Sequence, residues 1–247
     1  MAKCTTIGLT GDAGSGKSTV RRWLAERGAA TLDGDQVVHE LLARDAAVIA
    51  AVAGRFGNRV VYAAGGIGDN PVGSAGGIGD RGVAVAGDVG DRETAARGID
   101  RRALAGLVFA DPVALADLEA ILHPAVIAHT RRWMAECRAA GLPAAVVEAV
   151  KLVESGMQPE FDEMWLVACD RDVRRQRLAE RGWSPPEVER RMAAAGPLEP
   201  KLALASHIVD NSGTWPATER QLATAWSAHS QPHVSPAPDA GAQGESL

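Results

Sequence analysis

Aromatic side chains are scarce in this chain: six Trp, three Phe and one Tyr make up 4% of its 247 residues. A core built from it draws mainly on Ala, Val and Leu. Positive charge is not in excess either, since 26 Lys and Arg stand against 31 Asp and Glu for a net charge of −5. With no basic patch interleaved with aromatics, a general nucleic-acid binder is excluded. Cysteine is limited to Cys4, Cys137 and Cys169. They lack metal-ligand spacing and cannot all pair with one another, so free thiols in a reducing compartment are expected. Cys4 and Cys169 fall in expected buried strands and read as small core residues. No apolar run approaches the roughly 20 residues that cross a bilayer, and no charged-plus-apolar leader precedes the first strand. The expectation is a cytoplasmic protein without a membrane partner. A hydrophobic content of 46% and a charged content of 23% suit one large globular domain, or a domain with insertions.

The most informative stretch lies near the N-terminus. Residues 11–19, Gly11-Asp-Ala-Gly14-Ser15-Gly16-Lys17-Ser18-Thr19, fit the pattern G-x-x-x-x-G-K-[ST]. Residues 5–10 (Thr-Thr-Ile-Gly-Leu-Thr) read as a short buried strand, and Val20, Trp23 and Leu24 begin a helical spacing. Strand, glycine loop and helix N-terminus form the context the motif needs. The glycines let backbone N–H groups turn inward around a phosphate chain, and the helix end adds positive potential. Gly11, Gly14, Ser15, Gly16, Lys17, Ser18 and Thr19 are therefore the expected nucleotide-binding residues. Lys17 would reach the β- and γ-phosphates and the Ser18 hydroxyl would ligate Mg²⁺, so ATP and Mg²⁺ are the expected cofactors.

The rest of the chain alternates in a way that predicts a parallel sheet with helices on both faces. Gly28 ends the first helix, and residues 29–32 form a second strand closing on Asp33-Gly34-Asp35. Val37, Val38, Leu41 and Leu42 give a helical stripe, and residues 46–56 another helix. Residues 63–98 break the pattern: they hold eleven of the 27 glycines and repeat Gly-Gly-Ile-Gly-Asp from Gly65 and from Gly76. A match to the dinucleotide fingerprint at residues 77–82 has no strand before it and no helix after it, and is rejected. A flexible low-complexity insertion is the better reading. Leu104, Leu107 and Val108 then share a helix face, and Pro112 opens a long helical region to about Cys137 that Pro124 is expected to kink or split. Residues 144–147 and 164–168 read as strands, 172–181 as a helix stopped by Gly182, and Pro185-Pro186 as the start of another. Ile208-Val209 is a last short strand, residues 217–228 a closing helix, and the Pro- and Ser-containing stretch from Ser230 onward a disordered tail.

Several polar residues sit where such a sheet binds ligands. Asp33 and Asp35 follow the second strand, where a kinase needs a carboxylate to orient and deprotonate an accepting hydroxyl; either could instead cap the next helix. Asp33, nearer the strand, is the favoured base. Glu148 ends the third strand and suits a role behind Mg²⁺; Glu154 could share that role or could be a cap or solvated residue. Arg174, Arg177 and Arg181 fall on one helix face, and a lid carrying Arg177 and Arg181 over the γ-phosphate is expected. The interspersed acids allow a salt-bridged solvated face instead, and Arg174 and the other flanking arginines are read as surface. His123, beside Pro124, could touch a substrate but more simply serves as a structural hydrogen bonder.

These residues together resemble the dephospho-coenzyme A kinase family, the last enzymes of coenzyme A synthesis. The resemblance runs through Leu9-Thr-Gly-Asp-Ala-Gly-Ser-Gly-Lys-Ser-Thr19, Asp33-Gly-Asp35, Ile99-Asp-Arg-Arg-Ala-Leu104 with Val108-Phe109, and Leu118-Glu-Ala-Ile-Leu-His-Pro124. It continues through Leu152-Val-Glu-Ser-Gly156, the Arg-rich segment to Arg181, Lys201 and Val209-Asp-Asn211. It implies transfer of the ATP γ-phosphoryl to the ribose 3′-hydroxyl of dephospho-coenzyme A, with Asp33 as the base. It also implies an α/β fold: a P-loop NTPase core of adenylate-kinase type, its parallel sheet flanked by helices, with a helical substrate domain and an Arg-bearing lid. On this reading one kinase-like domain spans residues 1–229, with its core at about 1–35 and 143–229. The substrate region, at about 36–140, supplies His123, with Asp33, Asp35 and Glu154 from the core, and the lid is at about 172–200. Asp12 stands where the family usually has Gly, Gly34 where it has Ala, and Val150-Lys-Leu-Val-Glu154 where it has Pro-Leu-Leu-x-Glu. Ala195 and Ser206-His207 also depart from the pattern, and the glycine-rich insertion is foreign to it. A kinase for another nucleoside or nucleotide, or an ATP-binding regulatory protein without turnover, are the competing readings.

Overall fold

The computed structural model describes residues 4–62, 98–108, 111–193, 196–227 and 229. The expected insertion up to residue 97, Phe109, Ala195 and the expected tail from Ser230 lie outside the described residues. In chain order the elements are β1 (Thr5–Thr10), α1 (Lys17–Ala25), β2 (Ala30–Asp33), α2 (Gly34–Arg44), α3 (Ala46–Phe56) and β3 (Val61–Tyr62). Then follow β4 (Gly98–Ile99), α4 (Arg101–Val108), α5 (Pro112–Ala139), β5 (Ala144–Glu148) and β6 (Glu163–Ala168). The last are α6 (Arg171–Glu180), α7 (Pro185–Ala193), α8 (Glu199–Leu204), β7 (His207–Asp210) and α9 (Trp215–Ser227). The chain divides into two compact units, one of residues 1–32 with 132–247 and one of residues 33–131.

The first unit carries a five-stranded parallel sheet in the order β2-β5-β1-β6-β7. Central β1 pairs Ile7 with Val146 on one side and Leu9 with Trp165 on the other. A strand covered on both faces needs apolar residues without alternation, and β5 and β6 supply them, while β1 buries Thr6 and Thr10 beside Ile7 and Leu9. Ile7, Leu9, Val146, Trp165 and Val209 form one core with Val20, Trp23 and Leu24 of α1 and Leu222 and Trp226 of α9. Each such side chain contributes roughly 1.5–3 kcal/mol on burial. The core is thus less aliphatic than composition suggests, because three of the six Trp are in it.

In the second unit, aspartates start the helices. Asp33 accepts from the Asp35 and Gln36 N–H groups at 3.0 and 3.3 Å, and Asp45 from Val48 N–H at 2.9 Å. Asp100 does the same for α4 and Asp111 for α5. Each cap contributes about 1 kcal/mol relative to Ala. Val61 and Tyr62 pair antiparallel with Ile99 and Gly98, so Gly98 belongs to a strand rather than to an insertion. Two-residue strands are too short to show a period, which is why the sequence conceals them. Pro124 does not split α5, which runs 28 residues through it. Over an 18-residue window of mean hydropathy 1.2, this helix is long and apolar enough to cross a membrane. It meets that test by length and composition only, which does not make it a membrane segment.

At the start of β6, Trp165 Nε1 donates to Glu163 Oε2 at 2.8 Å, and the His229 and Glu163 side chains meet at 3.0 Å. His207 Nε2 lies 3.5 Å from the same carboxylate. The hydrogen bond with His229 holds the Glu163 carboxyl below its usual range, and the same bond raises the His229 imidazole. The imidazolium contribution is complete below about pH 6.5 and is lost as pH rises through the raised native value. That of Glu163 is present above about pH 4.3 and is lost as pH falls through its depressed value. The melting temperature should therefore fall as pH rises above about 6.5 through the raised native value of His229, and His229→Phe should remove much of the slope. A melting profile equally steep in that variant would contradict the assignment.

Candidate active site

The glycine loop closes β1 onto α1 with the backbone its motif requires. Gly14 adopts φ +80°, and a Cβ there would come within 2.9 Å of the Arg174 carbonyl oxygen. Gly16 adopts φ +96°, and a Cβ would collide with the Asn211 amide. Both positions therefore need glycine. Gly16 caps α1 without any side-chain hydrogen bond, which leaves the helix N-terminus open to an anion.

Other elements hold the loop in place. Asn211, at the end of β7, is buried and donates from Nδ2 to Ser15 O at 2.7 Å, while Thr218 Oγ1 donates to its Oδ1 at 3.0 Å. Arg177 donates from Nη2 to Asn211 O at 2.9 Å and from Nη1 to Ser15 O at 3.4 Å. Lys17 is buried and donates from Nζ to Asp12 O at 3.1 Å. Leu178, Val188 and Met192 of the α6–α7 hairpin form a small core against Ala13 of the loop.

Two carboxylates approach the loop. Glu148, the last residue of β5, accepts from Ser18 Oγ at 3.1 Å and from Arg21 Nε at 2.7 Å. Asp12 accepts from Arg174 Nη1 at 2.7 Å and from Lys201 Nζ at 3.1 Å. Lys201 also pairs with Glu154 Oε1 at 3.2 Å.

The structure thus revises several expectations. Glu154 is the counter-ion of the buried Lys201 while remaining exposed to solvent itself. Arg174 is not surface, its side chain being only 12% exposed. Arg181 is exposed at the C-terminal end of α6 and is not brought to the loop. It stands seven positions past Arg174, about 10 Å along the helix axis, so sharing a face does not bring both to one place. Cys169 is no core residue: half-buried after β6, its Sγ accepts from Arg177 Nη1 at 3.4 Å. Burial does hold the Cys137 thiol up, at about 11. Asp33, Asp35 and His123 belong to the second unit. There Asp33 caps α2, Asp35 is exposed in its first turn, and His123 is half-buried on α5.

The donor set can be tested against a nucleotide and its metal. Among the described residues, Ser15 Oγ and Arg174 Nε are buried polar atoms with no partner. Together with Lys17 and the uncapped α1 they make a cradle of donors, which fits a polyphosphate. For Mg²⁺ the loop offers the Ser18 hydroxyl with the Glu148 carboxylate behind it, both hard oxygen donors. No group of three or more His, Cys, Asp or Glu able to hold a metal occurs among the described residues. An ion here would complete its shell with phosphate and water oxygens, as Mg²⁺ commonly does.

A sequence model of the dephospho-CoA kinase family matches residues 5–70 and 90–217. The chain belongs to the dephospho-CoA kinase family. A dephospho-CoA kinase from Symbiobacterium thermophilum is 38% identical over 223 residues, covering 90% of this chain and 80% of that one. One from Geobacter sulfurreducens is 34% identical, over 89% and 96% of the two chains. The crystal structure of TT1252 from Thermus thermophilus superposes with a TM-score of 0.65 at 30% identity, covering 92% of this chain and 98% of that one. Dephospho-CoA kinase from Campylobacter jejuni superposes at 0.57 with 18% identity, over 90% and 95%, a likeness of fold. As a member of the dephospho-CoA kinase family the chain is a kinase, and ATP is the substrate that membership implies. The unmatched residues 71–89 are fewer than the expected insertion of 63–98.

Proposed function

We propose that this chain transfers the γ-phosphoryl group of ATP to the ribose 3′-hydroxyl of dephospho-CoA, giving CoA and ADP. What carries the reading is a complete phosphate loop, with buried Lys17 and the Ser18–Glu148 pair, in a chain of this family. The loop N–H groups and Lys17 hold the β- and γ-phosphates and offset the charge that spreads over the transferring group. The Ser18 hydroxyl, with the Glu148 carboxylate behind it, would hold a bound Mg²⁺, which would supply positive charge to the transferring phosphoryl group. Glu148, steadied by Arg21, holds that hydroxyl in position.

Arg177, which already donates to Ser15 O of the loop, is assigned to the γ-phosphoryl group, and Arg181 at the end of α6 to a closed lid. Asp33 is assigned to orient the accepting hydroxyl and take its proton, with Asp35, His123 and Glu154 assigned to the acceptor side. In the structure Glu154 already engages Lys201, so it would reach the acceptor only while keeping or exchanging that partner. The free thiols fit a reducing setting, and cytoplasm is the compartment we propose. Incubation with Mg²⁺-ATP and dephospho-CoA, followed by phosphorus NMR, tests the reading. A new 3′-phosphomonoester is expected; phosphate placed elsewhere on the molecule, or none, would overturn it.

A further inference from the structure

Four ionised side chains meet on one flank of the phosphate loop. Asp12 joins Arg174 at 2.7 Å and Lys201 at 3.1 Å, and Lys201 continues to Glu154 at 3.2 Å. The first three are deep, with side chains 11% exposed for Asp12, 12% for Arg174 and 1% for Lys201. Two positive charges face two negative ones. The motif leaves position 12 open, and the loop needs no carboxylate there. Its turn uses the Asp12 main chain, whose oxygen accepts from Ser15 N at 3.1 Å and Lys17 Nζ at 3.1 Å. The side chain requires a separate explanation.

A carboxylate beside a phosphate-binding loop repels an arriving polyphosphate and occupies cations that the polyphosphate would recruit. Arg174 Nε is buried without a partner, so Asp12 satisfies this guanidinium through one nitrogen only. We propose that Asp12 is a built-in competitor for the phosphate chain. It holds Arg174 and Lys201 while no nucleotide is bound, gives up Arg174 when a polyphosphate arrives, and so sets nucleotide affinity and the ease of product release. This rests on the reading of the loop as the ATP site. Lys201 stays with Glu154 and Asp12, because a sealed ammonium cannot shed its partners cheaply. Arg174 is the exchangeable member, with a long side chain on the lid helix α6. Asp12 touches no reacting atom in this scheme and is a positioning residue acting through Arg174.

The test is calorimetric titration of ATP and ADP into the wild-type chain, Asp12→Asn, Arg174→Gln and the double variant, with melting temperatures recorded for each. Asp12→Asn keeps the shape and removes the charge. It should bind both nucleotides about tenfold more tightly, the scale of one charge-assisted hydrogen bond redirected to phosphate. Its melting temperature without nucleotide should nevertheless fall. A merely structural role would lower affinity and stability together. The gain should vanish in Asp12→Asn/Arg174→Gln, which should bind as Arg174→Gln does. Folded Asp12→Asn that binds no more tightly than wild type, or a gain that survives without Arg174, would overturn the proposal. Should Asp12→Asn not fold, Asp12→Asn/Lys201→Met, which strands no buried ammonium, is compared with Lys201→Met by the same tenfold criterion. A wild-type chain that binds no ATP would instead sink the kinase reading, so the two failures are distinguishable.

Discussion

Lys17→Ala should lower kcat by about a thousandfold or more while leaving the fold intact. Removing one preorganised donor from a developing charge commonly costs about 10²–10³ in rate, and here the donor is a full cation. The side chain is buried at the loop, 7% exposed, so water cannot readily stand in for it. In the structure its ammonium donates to Asp12 O, an oxygen that also accepts from Ser15 N at 3.1 Å. The loop therefore keeps that turn when the lysine is lost, and the melting temperature should move by a few degrees at most. Steady-state rates at saturating ATP, together with a melting curve, check this. A kcat within tenfold of wild type would mean that Lys17 does not stabilise the transferring group.

Asp33→Asn is the second large effect, and the structure makes it a clean one. Asp33 Oδ1 caps α2 through Asp35 N and Gln36 N, and Asn caps a helix as well as Asp does. The substitution removes the proposed base and keeps the cap. Turnover should fall by about 10²–10⁴, the usual contribution of a positioned proton acceptor, with KM for ATP little changed. Asp33→Ala should lose the same turnover and, in addition, about 1 kcal/mol of stability with the cap. If Asp33→Asn turned over normally while Asp33→Ala was merely less stable, Asp33 would be a cap and nothing more.

The parts legible in the sequence are those written in local pattern. The β-branched stretch ending at Thr10 and the apolar run ending at Glu148 mark strands, and the loop between β1 and α1 is named by its glycines and Lys17. Glu148 could be placed near Ser18 because an acid at the end of a parallel strand faces the ligand edge. What stayed hidden depends on pairs distant along the chain. Asp12 and Lys201 are 189 positions apart and Asn211 and Ser15 are 196 apart, and nothing local announces either contact. Arg174 is illegible for a related reason: the acids around it on α6 suggest a solvated face, while its partner Asp12 comes from the loop. The strands β3 and β4 and the six-residue α8 are simply too short to carry a period. Cys169 reads as core because it directly follows a buried strand, yet β6 ends one residue before it.

The most direct test of the proposed activity is ADP formation from Mg²⁺-ATP with dephospho-CoA, compared with adenosine, AMP and no acceptor. The expected result is turnover with dephospho-CoA, yielding CoA, and near-background rates with the other three. Equal or faster turnover with AMP or adenosine, or ATP binding with no turnover on any acceptor, would contradict it.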